Sequence, residues 1–200
     1  MSNDIIRRGN CHVFGDDIPL DEGFIAFKYA IGRVTDPGLL IPHLFEQIDP
    51  EFRQRVKKGD IAVAGKNFGC GKAHMQGYIA MAALGMGVLC ESMPYRPMRG
   101  AIAKGVPLLT GCTGAMQFVK TGDELEMNFT SGLAINHSTG ARTTFPGLPP
   151  VLNGILLKGG MLGMLSAWLE EHQDMKRHGE GNGTDWMDSS PVKFVSKASL

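Results

Sequence analysis

The most informative part of the chain is the run Gly59-Asp-Ile-Ala-Val-Ala-Gly-Lys-Asn-Phe-Gly-Cys-Gly71. Its apolar residues 61–64 lie between glycine-containing turns, a pattern that predicts a short buried strand. The glycine-rich loop that follows, residues 65–71, leads into a predicted helix over residues 73–86. Because backbone N–H groups at the start of a helix lack partners within the helix, this loop is a candidate site for a carboxylate or a phosphate.

Outward from this loop, short apolar runs alternate with helical stretches. The predicted strands cover residues 61–64, 88–91, 106–109, 124–129 and 133–137, and the predicted helices cover 39–47, 50–57, 73–86, 98–104, 151–158 and 161–172. The alternation between residues 61 and 109 predicts an α/β fold with parallel strands. We predict one domain over residues 1–173 and a polar, flexible tail over 174–200.

Two of these elements carry a clear apolar period. In the helix predicted over residues 73–86, one face should pack against the sheet, because its members have the i, i+3, i+4, i+7 spacing: Ile79, Ala82, Ala83 and Met86. In the strand predicted over residues 124–129, apolar and polar residues alternate, as expected of a half-buried strand.

The loop differs from the two common nucleotide-binding loops. Five residues separate Gly65 from Gly71, where a P-loop has four, and Ala73 replaces the Ser or Thr that holds Mg²⁺. The segment Gly69-Cys-Gly71 supplies two glycines of G-x-G-x-x-G, but His74 stands at the third glycine position. The sequence therefore predicts neither a P-loop nor a dinucleotide-binding turn.

Composition narrows the class of function. Twenty basic and twenty acidic residues balance in a chain of 200, so no net field attracts nucleic acid or an anionic membrane. The N-terminus lacks the apolar stretch of a secretory signal, and the longest apolar run, residues 79–90, is shorter than the roughly 20 residues that span a bilayer. We predict a cytoplasmic protein that binds a small molecule or a protein partner.

The cysteines predict no metal site in this chain. They are far apart in the sequence, at Cys11, Cys70, Cys90 and Cys112. None has the C-x-x-C spacing of zinc, iron–sulfur or dithiol sites. We expect four reduced thiols, and any metal to come from another chain.

The run from Gly59 to Gly71 closely resembles the segment before the active-site serine in small subunits of isopropylmalate isomerase (3-isopropylmalate dehydratase) and its aconitase-type relatives. The resemblance covers about residues 10–170. It includes Phe14-Gly-Asp-Asp-Ile18, Asp49-Pro-Glu-Phe52, the segment from Ser92 to Gly105-Val-Pro-Leu108, Gly122-Asp-Glu-Leu-Glu126, Asn136-His-Ser-Thr-Gly140, Leu148-Pro-Pro150 and Gly159-Gly160. It implies a swivelling β/β/α barrel, the fold of the aconitase C-terminal domain.

The resemblance also implies an assembly and a chemistry. In this family the small subunit closes over a large subunit that holds a [4Fe–4S] cluster, whose open iron acts as a Lewis acid. A serine of the small subunit moves a proton, and arginines bind substrate carboxylates. The chain should therefore be a hydro-lyase subunit that is inactive alone, binds no cofactor itself, and acts on a small hydroxy-carboxylic acid with a cluster-bearing partner. When isolated, it is a candidate homo-oligomer.

The active-site loop departs from the family pattern, because Gly71-Lys-Ala-His-Met-Gln76 replaces the usual Gly-Ser-Ser-Arg-Glu-His. Lys72 stands at the position of the proton-abstracting serine, and His74 at that of a carboxylate-binding arginine. If closure against the large subunit desolvates Lys72, its amine is a candidate base. A cationic His74 is then a candidate ligand for an acidic substrate.

The other candidate residues follow from the same resemblance. Asp21 matches the second Asp of the family's Asp-Thr-Asp motif and is the second candidate catalytic residue, with a turn cap as the alternative. The candidate substrate-binding residues are Gly69, Cys70, Gly71, Ala73, His74 and Arg33, although a solvated surface role is equally open for the last of them. Arg96 and Arg99 lie in a segment where relatives also carry basic residues, so they are candidates to approach an anionic substrate at the subunit interface, but we expect structural salt bridges for them.

Two further functions remain open. A swivel domain without the serine can close or regulate a partner's active site, or hold a carboxylate at its loop, without catalysis. A stand-alone, cluster-free enzyme would have to turn over substrate by itself, and the sequence shows no second cluster of catalytic residues. Replacement of Lys72 by Ala distinguishes a non-catalytic closing subunit from a lysine-dependent enzyme, because turnover by the complex is kept in the first case and lost in the second.

Overall fold

The computed structural model describes residues 3–173, which contain one seven-stranded sheet. Its strands are β1 (Ile6–Val13), β2 (Ile61–Ala64), β3 (Gly87–Cys90), β4 (Leu108–Leu109), β5 (Glu124–Asn128), β6 (Leu133–Asn136) and β7 (Arg142–Thr144). They lie in the order β4-β3-β2-β1-β5-β6-β7. The long strand β1 therefore joins a parallel half of the sheet to an antiparallel half.

The parallel half confirms the predicted alternation of strands and helices. In β2, Ile61 pairs with Cys11 of β1 on one side and with Gly87 of β3 on the other. Every residue of β2 and β3 is buried, as expected of strands that are covered on both faces. The predicted bounds of β2, β3 and β4 are correct to within two residues.

The antiparallel half is built from β5, β6 and β7, with β5 paired to β1. In β5, Leu125 and Met127 are buried, while the residues between them are partly exposed. The predicted two-residue period is therefore confirmed. Strand β7 was not predicted, because its residues, Arg142-Thr-Thr144, include no apolar side chain.

The helices of the described residues are α1 (Lys28–Ile31), α2 (Pro37–Leu40), α3 (Phe52–Arg55), α4 (Gln76–Ala83), α5 (Tyr95–Ala103), α6 (Ala115–Phe118), α7 (Pro150–Leu157) and α8 (Met161–Glu171). The predicted helices over residues 39–47 and 50–57 are wrong in extent. Phe45 has a φ of 56° and donates its N–H to the Phe24 carbonyl at 2.7 Å. Tertiary packing of Phe45 thus overrides the local helical preference.

Helix α4 is shorter than predicted, and its buried face is wider than the predicted stripe. Of that stripe, Ile79, Ala82 and Met86 pack in or against the core, whereas Ala83 is exposed. The fully buried large side chains of the helix are Tyr78 and Met81. The helix lies close to its neighbours at Gly77, where an added Cβ would lie 2.9 Å from the Cβ of Phe24.

An aromatic cluster lies under the loop that follows β2. Its members are Phe14, Phe24, Phe45, Phe52 and Phe68, all of them buried. Phe68 belongs to the loop itself, and its ring centroid is 4.6 Å from that of Phe24. Burial of an aromatic ring of this kind contributes about 2 kcal/mol or more, so the cluster fixes the inner side of the loop.

The chain divides into two compact units, with the boundary between Met164 and Leu165. In the described part of the second unit, the rings of Trp168 and His172 stack at a centroid distance of 4.2 Å. Across residues 3–173, no single helix is long and apolar enough to cross a membrane, and α7 and α8 meet that criterion only as a bent pair. The predicted tail, residues 174–200, lies outside the described residues, so the domain boundary at 173 stays a prediction.

Candidate active site

The loop between β2 and α4 is held against the segment that follows β1. Three backbone hydrogen bonds join the two segments: Asp17 N–H to the Lys66 carbonyl (2.8 Å), Gly69 N–H to the Ile18 carbonyl (2.7 Å) and Leu20 N–H to the Cys70 carbonyl (2.8 Å). The loop therefore continues the pairing of β1 with β2 beyond the carboxyl ends of both strands. In α/β sheets this edge is where ligands bind.

Asp21 and Gly71 fix the outer turn of the loop. Gly71 has a φ of +79°, and a Cβ at this position would collide with the Asp21 carboxylate. One oxygen of that carboxylate, Oδ1, accepts a hydrogen bond from the Lys72 backbone N–H at 2.9 Å. The structure thus places Asp21 at the loop, where it acts as a cap of the turn.

Lys72 is exposed at the rim of the loop. Its Nζ lies 4.9 Å from the centroid of the Phe27 ring, and within the described residues it forms no ion pair with Asp21. Helix α4 begins at Gln76 and not at residue 73 as predicted, so Lys72 lies four residues before the helix. The helix dipole, which acts over the first turn, therefore has little influence on this amine.

His74 faces inward, behind Lys72. Its side chain is buried, its ring centroid is 5.8 Å from that of Phe27, and neither ring nitrogen forms a hydrogen bond of standard geometry with another described residue. Burial lowers the pKa of the His74 ring below its usual value, an effect larger than the opposing one of Gln76 and the nearby carboxylates. The ring is therefore neutral at pH 7, and the cationic His74 expected from the sequence is not what the free subunit presents.

Gln76 connects the loop to the region of Arg33. Its Nε2 donates to the Val34 carbonyl at 3.2 Å, whereas its Oε1 is buried without a partner among the described residues. Arg33 itself has a φ of 51° and is exposed. No hydrogen bond or ion pair of the described residues joins Arg33 to residues 69–74. The hydrogen bond from Gln76 reaches the carbonyl of Val34, the residue after Arg33.

The cysteines are free thiols in protected positions. Burial raises the pKa of Cys11, Cys90 and Cys112 to about 12. Partial burial and the neighbouring Asp17 carboxylate also raise the pKa of the Cys70 thiol. Cys70 is thus poorly suited to act as a nucleophile. Its carbonyl accepts the backbone hydrogen bond from Leu20.

Within residues 3–173, no group of three His, Cys, Asp or Glu side chains is arranged to hold a metal ion.

A cleft of about 610 Å³ opens beside the loop. Its lining residues come from two segments: Gly69, Cys70, Gly71, Lys72 and Ala73 of the loop, and Pro94, Tyr95, Arg96 and Pro97 at the start of α5. Four of the six predicted substrate-binding residues line this cleft together with Lys72. His74 and Arg33 do not.

Arg96, for which the sequence left a substrate-binding role open, is among the residues that line this cleft. The salt bridges expected for Arg96 and Arg99 are absent from the described residues, where Arg99 instead lies 5.5 Å from the centroid of the Tyr95 ring. The signal for Arg96 was present in the sequence, since it follows the next strand along the chain. Because carboxyl ends of neighbouring parallel strands share one edge, residues after β3 are expected near those after β2.

The architecture matches that of a solved protein. The crystal structure of 3-isopropylmalate dehydratase from Methanocaldococcus jannaschii aligns with a TM-score of 0.73 and 29% identity, covering 88% of this chain and 100% of that chain. The protein is therefore of the aconitase C-terminal class, a mixed α/β domain with a curled half-barrel sheet. The fold implied by the resemblance is confirmed.

Comparison with curated sequences defines the family, although no family model matches the chain. The chain is 36% identical over 159 residues to the 3-isopropylmalate dehydratase small subunit of Moorella thermoacetica, covering 79% of this chain and 93% of that protein. It is 37% identical over 163 residues to small subunit 1 of Methanopyrus kandleri, covering 81% and 93%. The chain belongs to the family of 3-isopropylmalate dehydratase small subunits.

Proposed function

We propose that this chain is the small subunit of a heteromeric hydro-lyase, inactive alone, that dehydrates a small hydroxy-carboxylic acid together with a large subunit holding a [4Fe–4S] cluster. The observation that carries the proposal is the placement of Lys72. It is exposed on a fixed loop that lines an open cleft, at the position that the family resemblance assigns to the proton-transferring residue.

The contribution of this chain is proton transfer. Lys72 Nζ, desolvated when the loop closes against the large subunit, takes the proton from the carbon next to the one that bears the hydroxyl. The electron pair of that C–H bond forms the double bond as the hydroxide leaves, and the reverse sequence adds water. Polarisation of the leaving hydroxyl is supplied by the cluster when it is bound.

The remaining site residues have supporting roles in this proposal. Asp21 accepts a hydrogen bond from the backbone N–H of Lys72 and so fixes its backbone, which leaves the position of Nζ to the rotamers of the Lys72 side chain. The loop residues from Gly69 to Ala73 contact the substrate from one wall of the cleft. His74 contributes a neutral, buried ring behind the loop and does not line the cleft.

A second candidate function follows from the contact of Lys72 with Phe27. A distance of 4.9 Å between Nζ and the ring centroid is typical of a cation–π pair. In this alternative Lys72 remains an ammonium group, and the subunit closes or regulates the active site of its partner without supplying the base. Lys72 then adds charge to the cleft and takes no part in proton transfer.

The test is anaerobic co-purification of the tagged chain with its candidate large subunit, followed by iron analysis and dehydration assays on a panel of hydroxy-acids. If Lys72 is the base, Lys72→Ala lowers kcat by about 10² or more. Lys72→Arg does the same, because a guanidinium cannot lose its proton near neutral pH. The matched control is Lys66→Ala, an exposed lysine of the same loop that does not line the cleft.

The outcomes separate the two functions. A complex that contains iron and turns over one acid, with kcat lost in both Lys72 variants and kept in Lys66→Ala, supports the lysine-dependent lyase. An active complex whose kcat is indifferent to Lys72→Ala supports the closing subunit. If no complex forms with the large subunit, both candidates fail.

A further inference from the structure

The cleft beside the loop has two walls, and each carries one cation. Lys72 belongs to the loop wall, and Arg96 belongs to the wall formed by the start of α5. No acidic side chain is among the residues that line the cleft. A cavity with this lining attracts an anion and gives it two separate points of contact.

Arg96 has no partner that would explain it as a structural residue. Within residues 3–173 its guanidinium forms neither a salt bridge nor a side-chain hydrogen bond, whereas Arg8 pairs with Glu124 and Arg55 with Asp49. Its side chain is exposed. It also lies in the first turn of α5, where the positive end of the helix dipole disfavours a cation. The position is therefore unfavourable for stability.

The loop itself offers few groups for a carboxylate. His74 is turned away from the cleft and is neutral, and Cys70 is a protonated thiol. A Lys72 that acts as a base is uncharged at the moment of proton abstraction, so it cannot bind a carboxylate as an ion pair at the same time. Among the lining residues, Arg96 is then the cation that persists through the reaction.

We infer that Arg96 binds a carboxylate of the substrate from the α5 wall while Lys72 faces the reacting carbon from the loop wall. This inference rests on the proposed function. The planar guanidinium donates two parallel N–H bonds to a carboxylate, which fixes both the position and the orientation of the acid. Arg96 is thus a specificity-determining residue that selects hydroxy-acids with a carboxylate on the α5 side.

The first test uses the assembled complex and the acid that it turns over. Arg96→Gln is expected to raise KM about tenfold or more with kcat changed less than KM, because the lost contact is made in the ground state and the transition state alike. Arg96→Lys is expected to retain part of the affinity, since lysine keeps the positive charge but lacks the two parallel N–H donors of the guanidinium. The matched control is Arg99→Gln, one turn further along α5, with its guanidinium over Tyr95, and its KM should stay within about twofold of the wild type.

The second test needs no turnover and uses the full chain with succinate as a dianionic probe and butyrate as a monoanionic one. Succinate is expected to shift the backbone amide NMR signals of the loop and of the first turn of α5, and more strongly than butyrate does. In Arg96→Gln the apparent affinity for succinate should fall about tenfold, while Arg99→Gln should leave it unchanged.

Failure of this inference is distinguishable from failure of the proposed function. An active complex whose KM is unchanged in Arg96→Gln, or raised equally in Arg99→Gln, overturns the role of Arg96 and leaves the lyase intact. If no acid is turned over, the proposed function fails and the succinate titration decides alone. Wild-type signals that do not move, or that move equally in Arg96→Gln, then overturn the inference.

Discussion

Among single residues, His74 is buried, and neither of its ring nitrogens makes a hydrogen bond of standard geometry within the described residues, although the side chain of Gln76 and the backbone of Leu20 lie close enough to favour the charged ring. Buried polar groups in proteins are almost always hydrogen-bonded, and each one that is not lowers stability by about 1–3 kcal/mol. Gln76 Oε1 is a further unpaired atom in the same region. These two residues are therefore expected to lower the stability of the isolated chain.

His74→Leu is expected to increase the free energy of unfolding of the isolated chain by about 1 kcal/mol at pH 7, because leucine removes the unsatisfied nitrogens. The same variant should be less sensitive to acid. The pKa of His74 is lowered in the folded state, so the unfolded chain binds the proton first and the stability of the wild type falls as the pH drops below about 6.5, whereas leucine binds no proton.

Denaturant unfolding at several values between about pH 7.5 and about pH 5.5 measures both effects. The control is His137→Gln, an exposed histidine 3.1 Å from Glu126, which should keep the acid sensitivity due to His74. A His74→Leu chain that is less stable than the wild type at pH 7 would contradict the prediction and would show that the ring makes stabilising contacts in the folded chain.

At the scale of elements, the loop between β2 and α4 is positioned by parts of the chain that are distant in sequence. The segment after β1 pairs with its backbone, the aromatic cluster holds Phe68, and the Asp21 carboxylate lies over Gly71. Each contact fixes one side of the loop. The position of Lys72 relative to the cleft therefore depends on Gly71 having no side chain.

Gly71→Ala is expected to lower the free energy of unfolding by about 2 kcal/mol, since alanine suffers both from the positive φ and from a clash with Asp21. The matched control is Gly140→Ala, which has a similar φ of +77° but no atom within 4 Å of the added Cβ. Its cost should be only that of the backbone, about 1 kcal/mol.

Chemical denaturation of the two variants gives the comparison, and dehydration by the assembled complex gives a second readout. Gly71→Ala should also reduce kcat, because the clash displaces Lys72, whereas Gly140→Ala should leave kcat unchanged. Equal destabilisation by the two substitutions would mean that the contact between Asp21 and Gly71 does not constrain the loop.

At the scale of the whole molecule, the two halves of the sheet meet at β1, and a buried polar group fastens that junction. Asp60, just before β2, accepts hydrogen bonds from the backbone N–H groups of Asn10 (2.9 Å) and Lys57 (2.8 Å). His12 of β1 lies with its Nε2 2.8 Å from the same carboxylate, and both side chains are buried. The carboxylate thus links β1 to the turn that leads into β2.

Asp60→Asn is expected to lower the free energy of unfolding by about 3 kcal/mol, because a donor NH₂ replaces an acceptor oxygen that faces N–H groups in a buried site. Glu124→Gln is the control, since its ion pair with Arg8 is exposed and screened by solvent and should contribute little to stability. Urea unfolding of both variants checks the prediction. A loss below about 1 kcal/mol for Asp60→Asn would show that Asp60 does not hold the junction of the sheet.

Elements whose pattern depends on neighbouring residues were predicted well, and elements that depend on contacts with distant residues were not. Strands β2, β3 and β5 were predicted closely because burial on one or both faces leaves its pattern in adjacent residues. The helices over 39–47 and 50–57 were overestimated because the packing of Phe45 and Phe52 involves partners far away in the chain. The extent of α4 was overestimated too, and this helix lies close to the distant residue Phe24 at Gly77.

For the site, local pattern and the run from Gly59 to Gly71 were enough to predict the fold class, the strand–loop–helix unit and the position of Lys72 on the loop. The burial and neutral state of His74, the capping of the loop by Asp21 and the cleft that Arg96 shares with Lys72 became visible only in the folded chain. The physical reason is that burial and the meeting of distant segments depend on the whole packed chain, whereas strand and turn preferences depend on neighbouring residues.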